Sequence, residues 1–207
     1  MSDPLPTTAR DFNSLSAPLI IPHSDSHEDG GDDPLRGAFT VVNLETAAAS
    51  IVFKSGVLRD VIVADIYING TPSGSYGVGL RLNNDTAANY TWSHASNAGG
   101  TAWENNELSS SSTLIDLGGN ITGNVNTMAF HIIIYNARAG AAVRKVVAAT
   151  GMKSFDGAIA TEFWGSSGEW RNTTDPVTRI DVVISEGTAT QFAANSLIAV
   201  SGYSIRR

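Results

Sequence analysis

The stretch "DVIVADIYINGTPSGSYGVGLRL", residues 60 to 82, decides the fold class. It contains two short apolar runs, residues 60 to 68 and 76 to 82, which are separated by "NGTPSGS". Runs of this length that are rich in Val, Ile and Tyr and bounded by turn-forming residues are typical of β-strands. The stretch therefore predicts two β-strands with a polar connection between them.

The same pattern of apolar runs and turns continues along the chain from residue 36 onward. Nine further strands are predicted, over residues 38 to 43, 50 to 54, 89 to 94, 112 to 117, 128 to 136, 143 to 149, 159 to 164, 178 to 184 and 197 to 205. The valines and flanking glycines of "AAVRKVVAAT" (141 to 150) favour a strand over a short helix, and one helical turn is expected within "GTATQFAAN" (187 to 195). Eleven short strands without an amphipathic helix predict an all-β fold, an antiparallel β-sandwich of the jelly-roll type.

Residues 1 to 35 have a different composition and are predicted to form an extended arm and linker ahead of a sandwich domain at 36 to 207. Five of the seven prolines lie in this segment, and each fixes φ and removes a backbone donor, which excludes a regular helix or a central strand. One apolar cluster, "LSAPLIIP", interrupts the polar residues. We expect this cluster to contact a neighbouring subunit through Leu15, Leu19, Ile20 and Ile21.

The segment "HSDSHEDGGDD", residues 23 to 33, combines two histidines with five acidic residues and therefore raises the question of a metal site. It lacks the twelve-residue register of a calcium loop, and proline and glycine flank its histidines where zinc would need a rigid element. The segment is interpreted as a solvated linker that binds no metal. A stabilising cation stays open as the alternative.

The net charge of −7 is concentrated in the arm. Residues 1 to 33 contain seven acidic residues and one basic residue, net −6, and the rest of the chain is nearly neutral. This distribution has no basic footprint, so nucleic-acid binding is not predicted. The chain has no cysteine, which excludes disulfides and thiolate chemistry. No apolar run approaches the length of a membrane span, and no signal peptide is expected.

No arrangement typical of an enzyme occurs in the sequence, and neither catalytic residues nor a cofactor are predicted. His131 alternates with apolar neighbours inside a strand, and His94 is placed at a strand end beside a long loop. The segment "WGSSGEW" (164 to 170) has the wrong spacing for a G-x-S-x-G nucleophile turn. A carboxylate pair for glycoside cleavage is an alternative that draws on glutamates near tryptophans, namely Glu104, Glu107, Glu162 and Glu169.

The segment "GEWRNTTDPVTRIDVVISEGTATQFAANSLIAVSGYSI", residues 168 to 205, resembles the closing part of β-sandwich modules in tailed-bacteriophage virions. The shared features are a glycine and an aromatic residue before a polar turn, an alternating apolar strand, and a last strand that ends near a Tyr-Gly pair, which is reversed to Gly-Tyr in this chain. They fall here on Gly168, Trp170, Ile180, Val182, Ile184, Gly202 and Tyr203. Upstream, residues 60 to 94 resemble the central hairpin of the same family.

The resemblance implies a structural component of the virion without catalytic residues. Family members often carry a helical or fibrous shaft, whereas this chain offers only the arm, which favours docking on a protein lattice. The expected function is therefore an accessory protein that decorates or cements a bacteriophage capsid. The expected partners are further copies of the chain, with a trimer favoured, and other virion proteins such as the major capsid protein.

Two alternatives remain at this stage. The chain could be a tail or neck component, including a receptor-binding tip. It could instead belong to another class, the carbohydrate-binding modules, with a host-surface glycan as its partner. In that case the tryptophans are expected to line one ligand-facing surface, which would consist of Trp92, Trp103, Trp164 and Trp170.

Overall fold

The computed structural model describes residues 40–55, 59–69, 76–98, 104–118, 125–138, 143–155 and 161–204. These residues form β-strands, turns and irregular segments, and no helix occurs among them. The predicted arm, its four apolar contact residues, the acidic segment 23 to 33 and the boundary at residue 35 lie outside the described residues, so they stay predictions.

The described residues contain twelve strands. They are β1 (Thr40–Asn43), β2 (Ser50–Lys54), β3 (Val61–Asn69), β4 (Tyr76–Leu82), β5 (Tyr90–Ala98), β6 (Glu104–Ser112), β7 (Ile115–Asp116), β8 (Val125–Tyr135), β9 (Lys145–Phe155), β10 (Thr161–Trp170), β11 (Arg179–Gly187) and β12 (Leu197–Tyr203).

The strands form two antiparallel sheets that pack on a common core. The larger sheet has the order β1-β12-β3-β8-β9-β10-β5-β6, and the smaller sheet has the order β2-β11-β4-β7. The chain changes sheet at every step from β1 to β5, at both steps from β6 to β8, and at both steps from β10 to β12. This path produces two facing groups of four strands, β1-β12-β3-β8 and β2-β11-β4-β7. The connectivity of these eight strands is that of a jelly roll. The predicted all-β sandwich is confirmed.

Two strand pairs widen the larger sheet beyond the jelly roll. The pair β5–β6 is inserted in the chain between β4 and β7, and the pair β9–β10 between β8 and β11. In space they continue the larger sheet in the order β9-β10-β5-β6 from its edge at β8. The larger sheet is therefore twice as wide as the smaller one, which has only four strands to cover it.

The core follows from the alternation of side chains along the strands. In β3 the isoleucines Ile62, Ile66 and Ile68 point inward, and in β4 Leu80 and Leu82 meet them from the smaller sheet. Full burial of such a side chain contributes roughly 1.5 to 3 kcal/mol. A two-residue period is what fixes this choice of face, because a slip by one residue would turn all of these side chains outward.

The structure corrects three expectations of the sequence. Residues 187 to 195 form no helical turn, because Phe192 makes a bridge with Ala48 instead. The polar segment "ENNELSSSS" was not predicted as a strand but forms β6, since its backbone pairs with β5 at the sheet edge. The expected central hairpin is wrong, because β3 lies in the larger sheet and β4 in the smaller one.

Candidate functional site

The outward side of the larger sheet carries the candidate site. Side chains that do not enter the core point to this side, and the strand register aligns them in rows that run across the sheet. One row crosses five neighbouring strands and consists of Leu197, Tyr67, Ala129, Met152 and Phe163. Tyr67, Met152 and Phe163 are large apolar residues of this row, and each is more than a third exposed. We call the outward side of the larger sheet the outer face.

A groove of about 540 Å³ lies on the outer face along this row. Its lining is mainly apolar and includes Tyr67, Ala129, Met152 and Phe163. Ala129 stands between Tyr67 and Met152 in the row, so a small side chain separates two large ones. This alternation of large and small side chains produces a ridge on each side of a trough.

The next row of the outer face brings Asp65 and His131 together. They are cross-strand partners of β3 and β8, and Asp65 Oδ1 lies 2.7 Å from His131 Nδ1. Both side chains are about half exposed, at 53% and 51%. The prediction that His131 is a strand histidine with a hydrogen-bond partner or with access to solvent is confirmed. The pair gives the groove one polar, orienting feature in an apolar setting.

Thr150 follows His131 in the same row, which produces the order acid, histidine, hydroxyl across three strands. A nucleophile needs a hydrogen bond to its base at about 2.6 to 3.2 Å. Among the described residues the Asp65–His131 contact is formed, but the Thr150 hydroxyl makes no hydrogen bond to His131. The row therefore presents polar recognition groups and does not form a catalytic triad.

Two of the four tryptophans that were expected to face a ligand are buried. Trp164 is 2% exposed and stacks on Phe130, with ring centroids 5.9 Å apart. Trp170 is 1% exposed and stacks on Tyr90 at 6.5 Å. Both occupy inward positions of β10, because they alternate with the outward Phe163 and Glu169. Trp164 and Trp170 are therefore packed in the core, although Trp164 also lines the floor of the groove.

Trp92 and His94 form a second aromatic contact on the inward side of β5. Their rings are parallel, with centroids 5.4 Å apart, and Trp92 packs against the core. His94 lies inside β5 and not at a strand end, which corrects the sequence-based placement. Within the part of the chain that the structure describes, Trp92 Nε1 and His94 Nδ1 are buried without a hydrogen-bond partner. Trp103 lies outside that part, so the four tryptophans do not form one open surface.

The remaining candidate groups whose side chains are described make structural contacts. Ser166, in "WGSSGEW", lies in the regular strand β10, and its hydroxyl donates to the carbonyl oxygen of Asp116 in β7 at 2.7 Å. Glu169 accepts a hydrogen bond from Arg144 at 2.7 Å. The side chains of Glu104, Glu107 and Glu162 lie outside the description. The carboxylate pair for glycoside cleavage thus has one described member, and Arg144 already binds it.

A buried polar network supports β10 from the inside. Asp85 accepts hydrogen bonds from Trp170 Nε1 at 2.8 Å and from Asn89 Nδ2 at 3.0 Å. Lys145 is buried, donates to the carbonyl oxygen of Asn172 at 2.7 Å and lies 5.3 Å from the Trp170 ring centroid. Burial lowers the pKa of Lys145, although Asp175 opposes this shift. The network fixes Trp170 in the core and thereby fixes which side of β10 faces outward.

No group of three or more His, Asp or Glu side chains in the described ranges could hold a metal ion. No helix in those ranges is long and apolar enough to cross a membrane.

Sequence reasoning missed Tyr67, Met152 and Phe163, although the sequence contains a sign of them. Strands with one solvent-exposed face alternate apolar and polar residues, whereas strands that are covered on both faces are continuously apolar. The runs "VIVADIYI" and "MAFHIIIY" are apolar at both parities, with Asp65 and His131 as the exceptions. These runs indicate that the side chains on both faces of β3 and β8 are mostly apolar.

Comparison of the chain with protein-family models, with curated proteins and with solved structures found no match. The function is therefore argued from the residues and their geometry.

Proposed function

We propose that the chain is a structural protein of a virus particle, and more narrowly an accessory protein that decorates or cements the capsid of a tailed bacteriophage. The observation that carries the proposal is a jelly roll whose widened sheet exposes an apolar outer face. Jelly rolls are common in viral capsid and lectin domains, and a rigid sandwich with a large contact surface suits assembly on a lattice. A fold alone does not determine a function, so the outer face carries more weight than the connectivity.

The resemblance of residues 168 to 205 to bacteriophage β-sandwich modules supports the same proposal. Its apolar strand residues Ile180 and Val182 occupy the core of the smaller sheet, which is the position that an alternating strand of a sandwich requires. In the proposed function the chain has no catalytic role. Its histidines, serines and glutamates serve contacts such as Ser166 with Asp116 and Glu169 with Arg144.

The arm supplies the second contact of the proposed assembly. Leu15, Leu19, Ile20 and Ile21 would bind a neighbouring subunit or the major capsid protein, and the copies would form a closed oligomer, for which we propose a trimer. Extended segments wrap a large surface when they bind, at the cost of their conformational freedom.

The location in a particle is tested by antibody labelling. An antibody raised against the purified chain should label the shell of particles released by cells that encode it, in electron micrographs of intact particles. Mass spectrometry of the same particles should find the chain at a fixed ratio to the major capsid protein. Label on the tail or neck would favour the alternative location, and its absence from purified particles would overturn the proposal.

The groove on the outer face favours glycan binding as a second candidate. Aromatic rings beside a polar pair are a combination that binds sugars, since the ring packs on the sugar face while polar groups fix its hydroxyls. Tyr67 and Phe163 with Asp65 and His131 provide these groups, in place of the expected tryptophans. A glycan array with the purified chain tests this candidate. Selective binding that Tyr67→Ala abolishes would establish it, and an array without signal would exclude it.

A further inference from the structure

The exposed large apolar residues of the described chain are not scattered over its surface. There are nine of them, and the strand register places eight on the outer face. The eight are Val41, Tyr67, Leu108, Tyr135, Val146, Met152, Phe163 and Tyr203. The ninth, Val143, lies outside the strands. A soluble protein tolerates single exposed apolar residues, but the concentration of eight of them on one face favours an interaction surface.

The charges of the outer face are paired. Asp65 contacts His131 at 2.7 Å, and Glu169 at the border contacts Arg144 at 2.7 Å. The row between them consists of small, apolar or hydroxyl side chains such as Val63, Ile133 and Ala148, and the row beside Asp65 and His131 adds the uncharged amides Asn43 and Asn97. Among the described residues the face therefore offers no unpaired charge that would attract a nucleic acid or a strongly charged protein.

The area of the outer face is that of a stable protein interface. Eight strands spaced by about 4.8 Å span about 34 Å, and four rows of outward side chains extend for about 20 Å along the strands. Their product is on the order of 700 Å², close to the roughly 800 Å² that each partner buries in an interface of standard size. A bound small molecule or a single extended peptide would leave most of this area in water.

We propose that a second copy of this chain covers the outer face, packed sheet against sheet around a two-fold axis. In such a contact the same surface serves both partners, so it must be complementary to itself. The ridge of Tyr67 beside the trough at Ala129 meets this requirement, because the ridge of one copy enters the trough of the other. Sheets packed in this way lie about 10 Å apart with interdigitated side chains.

The continuous apolar runs of β3 and β8 are explained by this contact. The smaller sheet covers their inner side, and the second copy covers their outer side, so both parities of these strands are apolar for a physical reason. The contact joins two copies through the outer face, separately from the trimer proposed through the arm, and it does not depend on that assembly role. Loss of self-association would leave the particle location intact, and absence from particles would leave the contact intact.

The experiment measures self-association of the full-length chain by sedimentation velocity over a range of concentrations. Phe163→Glu and, separately, Met152→Glu should weaken self-association at least 100-fold, because each would bury a charge in the contact. Val143→Glu is the matched control: Val143 is 44% exposed, close to Phe163 at 47%, and lies outside the strands that form the outer face. A far-ultraviolet dichroism spectrum confirms that each variant is folded.

A cross-link tests the geometry. The chain has no cysteine, so Met152→Cys introduces a single thiol in the middle of the contact. A short bismaleimide should join two copies of this variant and should not join copies of Val143→Cys. Unchanged association of both charge variants, or failure of Met152→Cys to cross-link, would overturn the proposal.

The competing occupant is the arm of the chain. It is tested with Ile20→Asp and Ile21→Asp introduced together in the full chain. If this variant dissociates as completely as Phe163→Glu, and adding Phe163→Glu to it has no further effect, the arm covers the outer face and the two-copy contact is overturned. Association that survives the arm substitutions and is lost with Phe163→Glu supports the contact.

Discussion

At the scale of single residues, two buried tyrosines show how much the surroundings of one hydroxyl matter. The Tyr90 hydroxyl accepts a hydrogen bond from the Leu82 amide at 3.0 Å and lies 3.1 Å from the Leu82 carbonyl oxygen, to which it can donate. The Tyr76 hydroxyl is buried with no partner among the described residues. Burial raises the pKa of Tyr76 to about 12. The Tyr90 hydroxyl therefore links β5 to the end of β4, whereas the Tyr76 hydroxyl is a polar group in the core without a described hydrogen-bond partner.

The first prediction compares the removal of these two hydroxyls. Tyr90→Phe should lower the free energy of unfolding by about 1 to 3 kcal/mol, because it leaves the buried Leu82 amide without its acceptor, whereas the Leu82 carbonyl oxygen keeps the Asp85 amide as a donor. Tyr76→Phe should be neutral or stabilising, since it removes an unpaired polar group and leaves the ring contact with Phe192 in place. Urea denaturation of both variants measures the difference. A larger loss for Tyr76→Phe than for Tyr90→Phe would contradict the prediction.

The second prediction concerns two glycines in neighbouring strands. A Cβ at Gly151 would lie 2.6 Å from Phe130 Cδ1 and 3.0 Å from Trp164 Cε3, because both rings meet across this position. Gly151→Ala should therefore destabilise the fold by about 1 to 3 kcal/mol through overpacking. Gly165→Ala is the control, since no heavy atom lies within 4 Å of its added Cβ. It should be neutral or slightly stabilising in a strand. Thermal melts that rank the two variants in the opposite order would refute this account.

The third prediction concerns pH. Partial burial would raise the pKa of Asp85, but hydrogen bonds from Asn89, Trp170 and the Ala87 amide together lower it. A lowered pKa in the folded state means that the ionised carboxylate stabilises the fold above the ordinary value of 3.8. This stabilisation is lost as the pH falls through the folded-state value. The free energy of unfolding of Asp85→Asn should therefore fall less steeply than that of the wild type below about pH 5. Parallel slopes for the two proteins would show that Asp85 does not contribute.

At the scale of elements, the position of a strand in the sheet should determine how strongly its backbone amides are protected from hydrogen exchange. The strands β8 and β9 lie in the middle of the larger sheet and pair on both sides, whereas β1 and β6 are its edges. The fourth prediction is that amides of β8 and β9 exchange hydrogen slowest and those of β6 exchange fastest within this sheet. Hydrogen exchange with mass spectrometry measures the order. Equal protection of β6 and β8 would count against β6 as an open edge.

The strands differ in how well their sequences predict them. Each of the eleven predicted strands overlaps an observed strand, and β3 and β4 begin and end within one residue of the prediction. The strand β6 was missed because its stability comes from backbone pairing with β5, and a polar edge strand has no apolar period to detect. The central hairpin was wrong because local sequence does not encode which sheet a strand joins. That choice depends on partners far along the chain, such as β12 for β3.

The candidate site was harder to predict than the fold. Tryptophan content suggested a ligand surface, but the parity of β10 turns Trp164 and Trp170 inward and Phe163 outward. Register within a wide sheet decides which outward residues become neighbours, and it joins Tyr67, Met152 and Phe163 from three separate strands. A single sequence specifies the parity of each strand but not the row in which its residues meet.

At the scale of the whole molecule, the acidic segment 23 to 33 remains a sequence-based prediction of a linker that binds no metal. The fifth prediction is that a chelator leaves the melting temperature of the full chain unchanged. A ligand present at 100 times its dissociation constant would contribute roughly 2.7 kcal/mol, which corresponds to a shift of several degrees. Differential scanning calorimetry with and without EDTA measures this shift. A clear decrease that added calcium or zinc reverses would establish a bound cation.

The connectivity of the sandwich has a consequence for how the chain is made. The first strand of the larger sheet, β1, pairs with the last, β12, and in the smaller sheet β2 pairs with β11. During synthesis on the ribosome, the partners of β1 and β2 are therefore translated only after most of the domain has emerged. Folds dominated by such distant pairings fold slowly, over milliseconds to seconds. Until β12 leaves the exit tunnel, the edges of β1 and β3 are unpaired, so crowded expression exposes the nascent chain to aggregation before the sheet can close.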